Sequence, residues 1–334
     1  MKLMKTIYVE EQCLKHPRTQ AIIARFKNKQ VITCHHYGEI FNRHKQNFRT
    51  QKENPALIIA MKKGKKVLPT PPGFGIGGQR NFYFSHLLNC PFDCRYCFLQ
   101  GMYRSAHYVL FINYEDFIED IQKTVAESAQ TSYFFSGYDA DSLAYDPISQ
   151  FTQNFLPIFN QAELIKKAYL ELRTKSANIR PLLKLPGSRN IIAAFSINPE
   201  NIVTAHEDKT ASLAKRIEAM HQLAEHGYSI GLRLDPLIWT DNFEQDYQDC
   251  IDSIFEKINP TAIHSVSLGV MRFPEKMLKK MRQLHPQDPL LNQPLEKQGK
   301  VISYPDEQQN HMRETVKKFL TRHVTEEKIF NCGG

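Results

Sequence analysis

The chain has 334 residues, 42% hydrophobic and 23% charged, which is enough apolar material for one large α/β domain or two ordinary ones. Its formal net charge of +8 leans towards an anionic partner such as nucleic acid, although basic proteins without one are common. Seven cysteines, an odd number, argue against a disulfide framework, and neither a signal-like apolar core nor an apolar run near the ~18 residues of a membrane span is present. These features predict a soluble, cytoplasmic protein with no membrane partner.

Residues 1–80 read as an irregular N-terminal extension. Within it, 8–10 predict a short strand and 16–27 a helix through Thr19, Ile22, Ile23 and Phe26. Residues 42–52 (NRHKQNFRTQK) are basic and polar, and 56–61 form a compact apolar run that predicts a strand. Lys62, Lys63, Lys65 and Lys66 surround Gly64, as a solvated hairpin tip or as a phosphate contact. The glycines at 73, 75, 77 and 78 lack the preceding strand of a dinucleotide fingerprint and read as a linker.

Three cysteines then fall within eight residues. Cys90, Cys94 and Cys97 have the spacing C-x3-C-x2-C, and the next cysteine downstream is Cys250. A short loop of soft thiolates can wrap an iron–sulfur cube, and three ligands instead of four leave one iron open to a small molecule. Chemistry based on S-adenosyl-L-methionine (SAM) is one use of iron–sulfur cofactors. Two other readings stand beside it: a zinc site completed by His86 or His107, and three buried, inert thiols.

From residue 81 the pattern alternates strand and helix. Strands are predicted at 81–87, 132–136, 169–173, 190–196, 228–234 and 263–268, with a further extended piece at 108–112. Helices are predicted at 114–130, 150–168 (with Pro157 as a kink or boundary), 179–185, 209–226 and 243–258, and Gly227 caps the fourth of these. Six such units over 81–272 predict an α/β fold, a partial (β/α)6 barrel with its chemistry at the C-terminal strand ends. The extension 273–334 carries a helix with Lys276, Lys279, Lys280 and Arg282, a loop over 285–298 and a short strand at 300–304. A helix over 305–323 and an extended piece at 329–332 complete it.

The residues just after the strands are the cofactor candidates. They are Ser136, Gly137, Tyr138, Asp139 and Asp141 after the second strand and Thr174, Lys175 and Ser176 after the third. Ser196 and Asn198 follow the fourth, Arg233 and Asp235 belong to the fifth, and Gly269 and Arg272 follow the sixth. Loops are polar in any fold, so each of these is also explicable without a ligand. Lys175 suits a carboxylate as a point charge, serine and asparagine suit hydroxyls and amides, and Gly137 admits close approach.

Several segments now act together: CPFDCRYCFLQ at 90–100, the run from Tyr108 to Asp116, Thr174-Lys175, Phe195 to Pro199, and Lys215 to Ala219 ahead of Gly227-Tyr228. Over residues 5–330 the chain resembles the spore photoproduct lyase family of radical SAM enzymes. The resemblance implies a barrel of the radical SAM type, with a [4Fe–4S] cluster on Cys90, Cys94 and Cys97. It implies SAM contacts at Lys175 and Ser196, joined by the strand-end candidates Gly137, Ser136, Asn198 and Asp235, with Tyr96 beside the cofactor. The implied reaction is one-electron cleavage of SAM to methionine and a 5′-deoxyadenosyl radical, which abstracts hydrogen from a DNA photolesion to repair a thymine dimer. The electron would come from an external donor such as flavodoxin or ferredoxin, and the basic groups at 43–52, 62–66 and 276–282 would hold DNA phosphates.

Two positions depart from the family pattern. Where the family carries a hydrogen-donating cysteine this chain has Tyr138, and where it carries a relay tyrosine the chain has Phe98. Tyr138 could serve instead, Cys332 could fold back from the tail, or the substrate could differ (an RNA base, a peptide or a small molecule). A reading of another class is a non-catalytic, metal-stabilised nucleic-acid-binding protein.

Overall fold

Six parallel strands run side by side in chain order: Arg80–Phe84, Ser132–Ser136, Ala168–Thr174, Ile191–Ser196, Ser229–Leu237 and Ile263–Val270. They form the centre of the main sheet in this computed structural model, which describes residues 4–26, 28–78, 80–161, 164 and 166–333. Ile329–Asn331 joins in parallel beyond the sixth strand, and Leu68–Pro69 joins antiparallel beyond the first. Strands covered on both faces read as apolar runs, and the fourth is buried at every position. Helices pack outside. Leu213–Glu225 buries Leu213, Ile217, Met220 and Leu223 on one stripe and ends at Gly227, whose φ is +93°.

Two predicted helices fall furthest short of what their apolar periodicity suggests. The one expected over 150–168 is helical at Phe151–Phe159, with Pro157 inside it; residues 162, 163 and 165 of that stretch lie outside the described residues. The one expected over 209–226 starts at Leu213, because Glu207–Asp208 pairs antiparallel with Asp93–Cys94 of the cysteine loop. The loop expected at 285–298 contains a helical turn, Pro289–Asn292, and a strand, Glu296–Gln298.

The leading region is not irregular. Thr6–Glu10 lies in parallel between Gln30–Cys34 and Leu57–Ala60, and Leu57–Ala60 pairs in parallel with Tyr108–Phe111. Leu87–Leu88 closes this second sheet antiparallel to Tyr108–Phe111. Its apolar layer includes Ile7, Val9, Ile22, Leu57, Ile59, Leu87 and Leu110. Glu10, fully buried, accepts hydrogen bonds from Tyr37 N at 2.9 Å, Met61 N at 3.1 Å and Gln12 Nε2 at 2.8 Å.

This sheet holds the cysteine loop at both ends. The chain leaves it after Leu88 and returns at Tyr108. Asn89, with φ +65°, closes the neck by donating from Nδ2 to Ser105 O and His107 O, both at 2.7 Å.

Inside the barrel Arg233 is fully buried against Glu171. Its Nη2 and Nε donate to the two carboxylate oxygens at 2.7 and 3.2 Å, and its remaining donors reach Ser265 and Leu232. Arg173 Nε adds a third charged contact to Glu171 at 2.9 Å. Arg233, read from sequence among the strand-end cofactor candidates, is therefore a core residue and is not among those lining the cavity described next.

Candidate active site

One cavity of about 510 Å³ opens at the C-terminal ends of the barrel strands, where parallel barrels carry their chemistry. Cys90, Cys94 and Cys97 line it together, and all three are free thiols. Ser136 and Gly137 reach it from the second strand, Lys175 from the third, Ser196 from the fourth and Asp235 from the fifth. Tyr96 and Tyr138 complete the set of expected residues in its wall.

The cysteine loop is clamped from outside. Asp93 accepts from Lys52 Nζ, from Lys209 Nζ at 3.2 Å and from Gln100 Nε2 at 3.2 Å. Gln100 also donates to Cys94 O at 2.6 Å, and Arg95 pairs with Asp208 at 2.8 Å. The sulfurs are thus presented by a fixed backbone. Burial pushes each of the three thiols up; a metal takes such groups as thiolates outright.

Behind the loop stands a charged hub centred on Glu207, which lies outside the barrel strands. Glu207, buried, accepts from Arg216 Nη2, from Tyr96 O–H and from Asn198 Nδ2 at 3.0 Å. Asn198 also donates to Tyr96 O at 3.1 Å and accepts from Tyr247 O–H at 3.1 Å. Asn198 spends its polar atoms there and is not among the residues lining the cavity. Tyr96 shows the cavity its ring, because its hydroxyl is committed to Glu207. Lys175 Nζ sits 5.6 Å from the centre of that ring. Burial disfavours the Lys175 ammonium, but Glu207, with Cys94 and Cys97, more than offsets it and holds the group charged.

Asp141, one of the strand-end candidates, lines the cavity and shapes the turn after the second strand. Its carboxylate accepts from Leu143 N, Ala144 N, Thr174 Oγ1 and Lys175 N at 2.6–2.9 Å. Gly137 has φ +83°, and a Cβ there would stand 2.5 Å from Ser142 Oγ, so this turn demands glycine. Ser136 Oγ bonds Ser142 Oγ at 2.8 Å. Asp235 pairs with Arg272 at 3.0 Å; burial opposes its charge, yet Arg272 and Arg173 hold it below the usual carboxylate range. Tyr138 stacks on Tyr83 with ring centres 4.1 Å apart.

The glycine run is more than a linker. Phe74, Gly75 and Ile76 form part of the cavity wall, and Gly77 and Gly78 have φ of +95° and +68°. The zinc reading finds no histidine in place. His86 stacks on Phe151 at 3.8 Å in the core, and His107 Nδ1 accepts from Ala56 N at 3.0 Å; neither is in the cavity wall. Among the described residues no three His, Cys, Asp or Glu side chains are close enough to hold a single ion. Three cysteines of one short loop lining one cavity are the soft donor set that an iron–sulfur cube takes.

The model of the spore photoproduct lyase family matches residues 3–331. The chain belongs to the spore photoproduct lyase family. A spore photoproduct lyase of Bacillus subtilis (strain 168) is 22% identical over 274 residues, covering 80% of this chain and 77% of that protein. One from Geobacillus sp. (strain Y412MC61) is 20% identical over 334 residues, covering 95% of each. A solved spore photoproduct lyase variant with bound AdoMet and dinucleoside spore photoproduct aligns at a TM-score of 0.83 and 16% identity, covering 98% of both chains. Another, complexed with dinucleoside spore photoproduct, aligns at 0.82 and 16%, again over 98% of both. The fold is thus the α/β half-barrel of the spore photoproduct lyases.

A second, shallower cleft adjoins the cavity and shares Phe48 and Gln100 with it. Lys45, Arg49, Arg104 and Lys280 line it, and no acidic residue does. Two of the basic groups expected to hold phosphates, 43–52 and 276–282, therefore converge here. The third does not: Lys66 packs towards Asp116 and Asp120, and the Lys62–Lys66 stretch forms no hairpin.

Proposed function

We propose that this protein is a radical SAM lyase that repairs the spore photoproduct in DNA. The observation that carries it is one cavity where three loop thiols face Lys175, Ser196 and Asp235, in a chain matched by the family almost from end to end. Cys90, Cys94 and Cys97 would hold a [4Fe–4S] cluster through three irons. Lys175 offers a charge for the SAM carboxylate, Ser196 a hydroxyl, and Gly137 room for close approach. Together the bound pair supplies reductive cleavage of SAM to an adenosyl radical.

The protein's own part is positioning. Glu207 fixes the Tyr96 ring and the Lys175 charge, Asp141 fixes the turn beside them, and the Lys52–Asp93 contact fixes the thiol loop. The mostly apolar residues around these groups, such as Ile76, Phe92 and Ala140, keep water out. The electron comes from an external donor of the flavodoxin or ferredoxin class. No helix of the described residues is long and apolar enough to cross a membrane, and seven free thiols suit a reducing compartment such as the cytoplasm.

Purified without oxygen and reduced, the protein is expected to convert SAM to 5′-deoxyadenosine and dinucleoside spore photoproduct to the thymine dinucleotide. SAM cleavage with the photoproduct left intact would turn attention to another substrate, for which the altered positions Phe98 and Tyr138 supply a reason. DNA affinity is expected to fall with salt. Four phosphate contacts in the basic cleft give a log–log slope near −3 for a single strand, at about −0.7 each. Charge-removing changes at Lys45 and Arg104 are expected to bring it nearer to about −1.5. A slope unmoved by both changes would place the backbone elsewhere.

A further inference from the structure

The last described strand brings a fourth thiol to the cavity. Ile329–Asn331 pairs with the sixth barrel strand, setting Phe330 beside Ser267 and Asn331 beside Leu268. Cys332 N donates to Leu268 O at 2.7 Å, and Gly333 N donates to Gly73 O at 2.9 Å. The backbone is pinned on both sides of Cys332, whose side chain joins the cavity wall. Gly333 has φ +70°, and a Cβ there would stand 2.5 Å from Arg272 Nε, so the chain passes close under that arginine.

Among the described residues the cavity wall contains four cysteines: the cluster trio and Cys332. Cys332 is 5% exposed. Its sulfur lies 3.8 Å from Arg272 Nη2, and its S–H donates to Asp235. Burial and Asp235 push the thiol up to about 12, so it keeps its hydrogen at neutral pH. Tyr138, stacked on Tyr83, lines the same cavity.

A second observation marks this corner as facing a ligand. Ser267, 1% exposed, lines the same cavity, and its Oγ has no hydrogen-bond partner. A buried hydroxyl left unpaired is costly, and a bound molecule in the cavity would satisfy it.

We propose that Cys332 is the residue that returns a hydrogen atom to the repaired thymine in this protein. The inference rests on the function proposed above. The thymine-centred carbon radical formed when the photolesion's linking bond breaks takes the hydrogen of the thiol. A C–H bond forms, the S–H bond breaks, and a sulfur-centred radical remains on Cys332. One electron from the same class of low-potential donor, with one proton from solvent, restores the thiol. Thiols yield hydrogen to carbon radicals faster than phenols do, which favours Cys332 over its neighbour Tyr138.

The test compares wild type, Cys332→Ala, Cys332→Ser and Tyr138→Phe on dinucleoside spore photoproduct in D2O. Both Cys332 variants are expected to form 5′-deoxyadenosine within about twofold of wild type while losing about tenfold or more in thymine dinucleotide yield. Whatever its yield, Tyr138→Phe is expected to keep the deuterium in the product, and its loss there would overturn the assignment. Independently of turnover, alkylation of Cys332 in the cluster-free wild-type protein, mapped by peptide mass, is expected to slow when the dinucleoside photoproduct is added. Full product yield from Cys332→Ala overturns the assignment and leaves the proposed function intact. So does alkylation of Cys332 unaffected by the photoproduct, or loss of 5′-deoxyadenosine formation in both Cys332 variants, since SAM cleavage needs no terminal donor. A wild-type protein that cleaves SAM but leaves the photoproduct untouched overturns both the function and this inference.

Discussion

Replacing Cys94 by alanine is expected to give a folded, colourless protein that forms no 5′-deoxyadenosine. Iron should drop from about four per chain towards none, because two thiolates cannot hold the cube that three hold. The fold should survive. The contacts that place this residue are made by its backbone, through Gln100 and the Glu207–Asp208 pairing, and alanine keeps them. Iron analysis, visible absorption and SAM turnover would be measured on one anaerobic preparation beside a thermal melt. A brown, SAM-cleaving Cys94→Ala protein would remove the thiol trio from the proposal. A colourless wild type holding one zinc would remove the radical chemistry altogether.

The second large effect is on stability. Glu171→Gln is expected to cost about 3–5 kcal/mol, because it leaves Arg233 buried without its counter-charge. The double replacement Glu171→Met with Arg233→Met should recover much of that loss, since apolar side chains of similar volume fit an apolar site. Urea denaturation of the single and double variants measures both. The same pair predicts an acid limit. Burial alone would raise the Glu171 carboxyl, but Arg233 and Arg173 override it and bring the group down to about 2. The folded value lies below the unfolded one. The stabilisation is therefore complete above the ordinary carboxylate range and is lost as pH falls from about 4.5 towards 2, a span worth about 3 kcal/mol. Equal acid sensitivity in wild type and the double variant would show that other groups set the limit.

Much of the barrel was legible because its strands are apolar on both faces and short. NIIAAFS could hardly be anything but a buried strand, and the C-x3-C-x2-C spacing pointed to a ligand loop before any coordinates. What escaped depends on distant partners. Gln30–Cys34 is mostly exposed, so no periodicity announces the sheet it edges. Glu207 lies in a charged stretch, AHEDKT, that reads as solvated. Its signal was elsewhere, in Arg216 on the apolar stripe of a helix between Leu213 and Ile217, where a charge needs a buried partner. Asn198 looked like a ligand because it follows a strand, and it turned inward because Glu207 and Tyr96 were there to meet it. Cys332 looked like a tail residue because strand pairing across some sixty positions leaves no local trace.

The way the cysteine loop is suspended bears on how this protein can be cut. Both of its ends hang from one sheet, whose other strands come from the first sixty residues. A fragment beginning at residue 81 would keep every thiol of the trio and all but the first residue of the barrel strands, yet Tyr108–Phe111 would lose its parallel neighbour and Lys52 would no longer grip Asp93. Such a piece should bind iron poorly despite an intact ligand set. Supplying residues 1–80 as a separate polypeptide should restore binding. The leading segment is, in effect, a mould for the metal site.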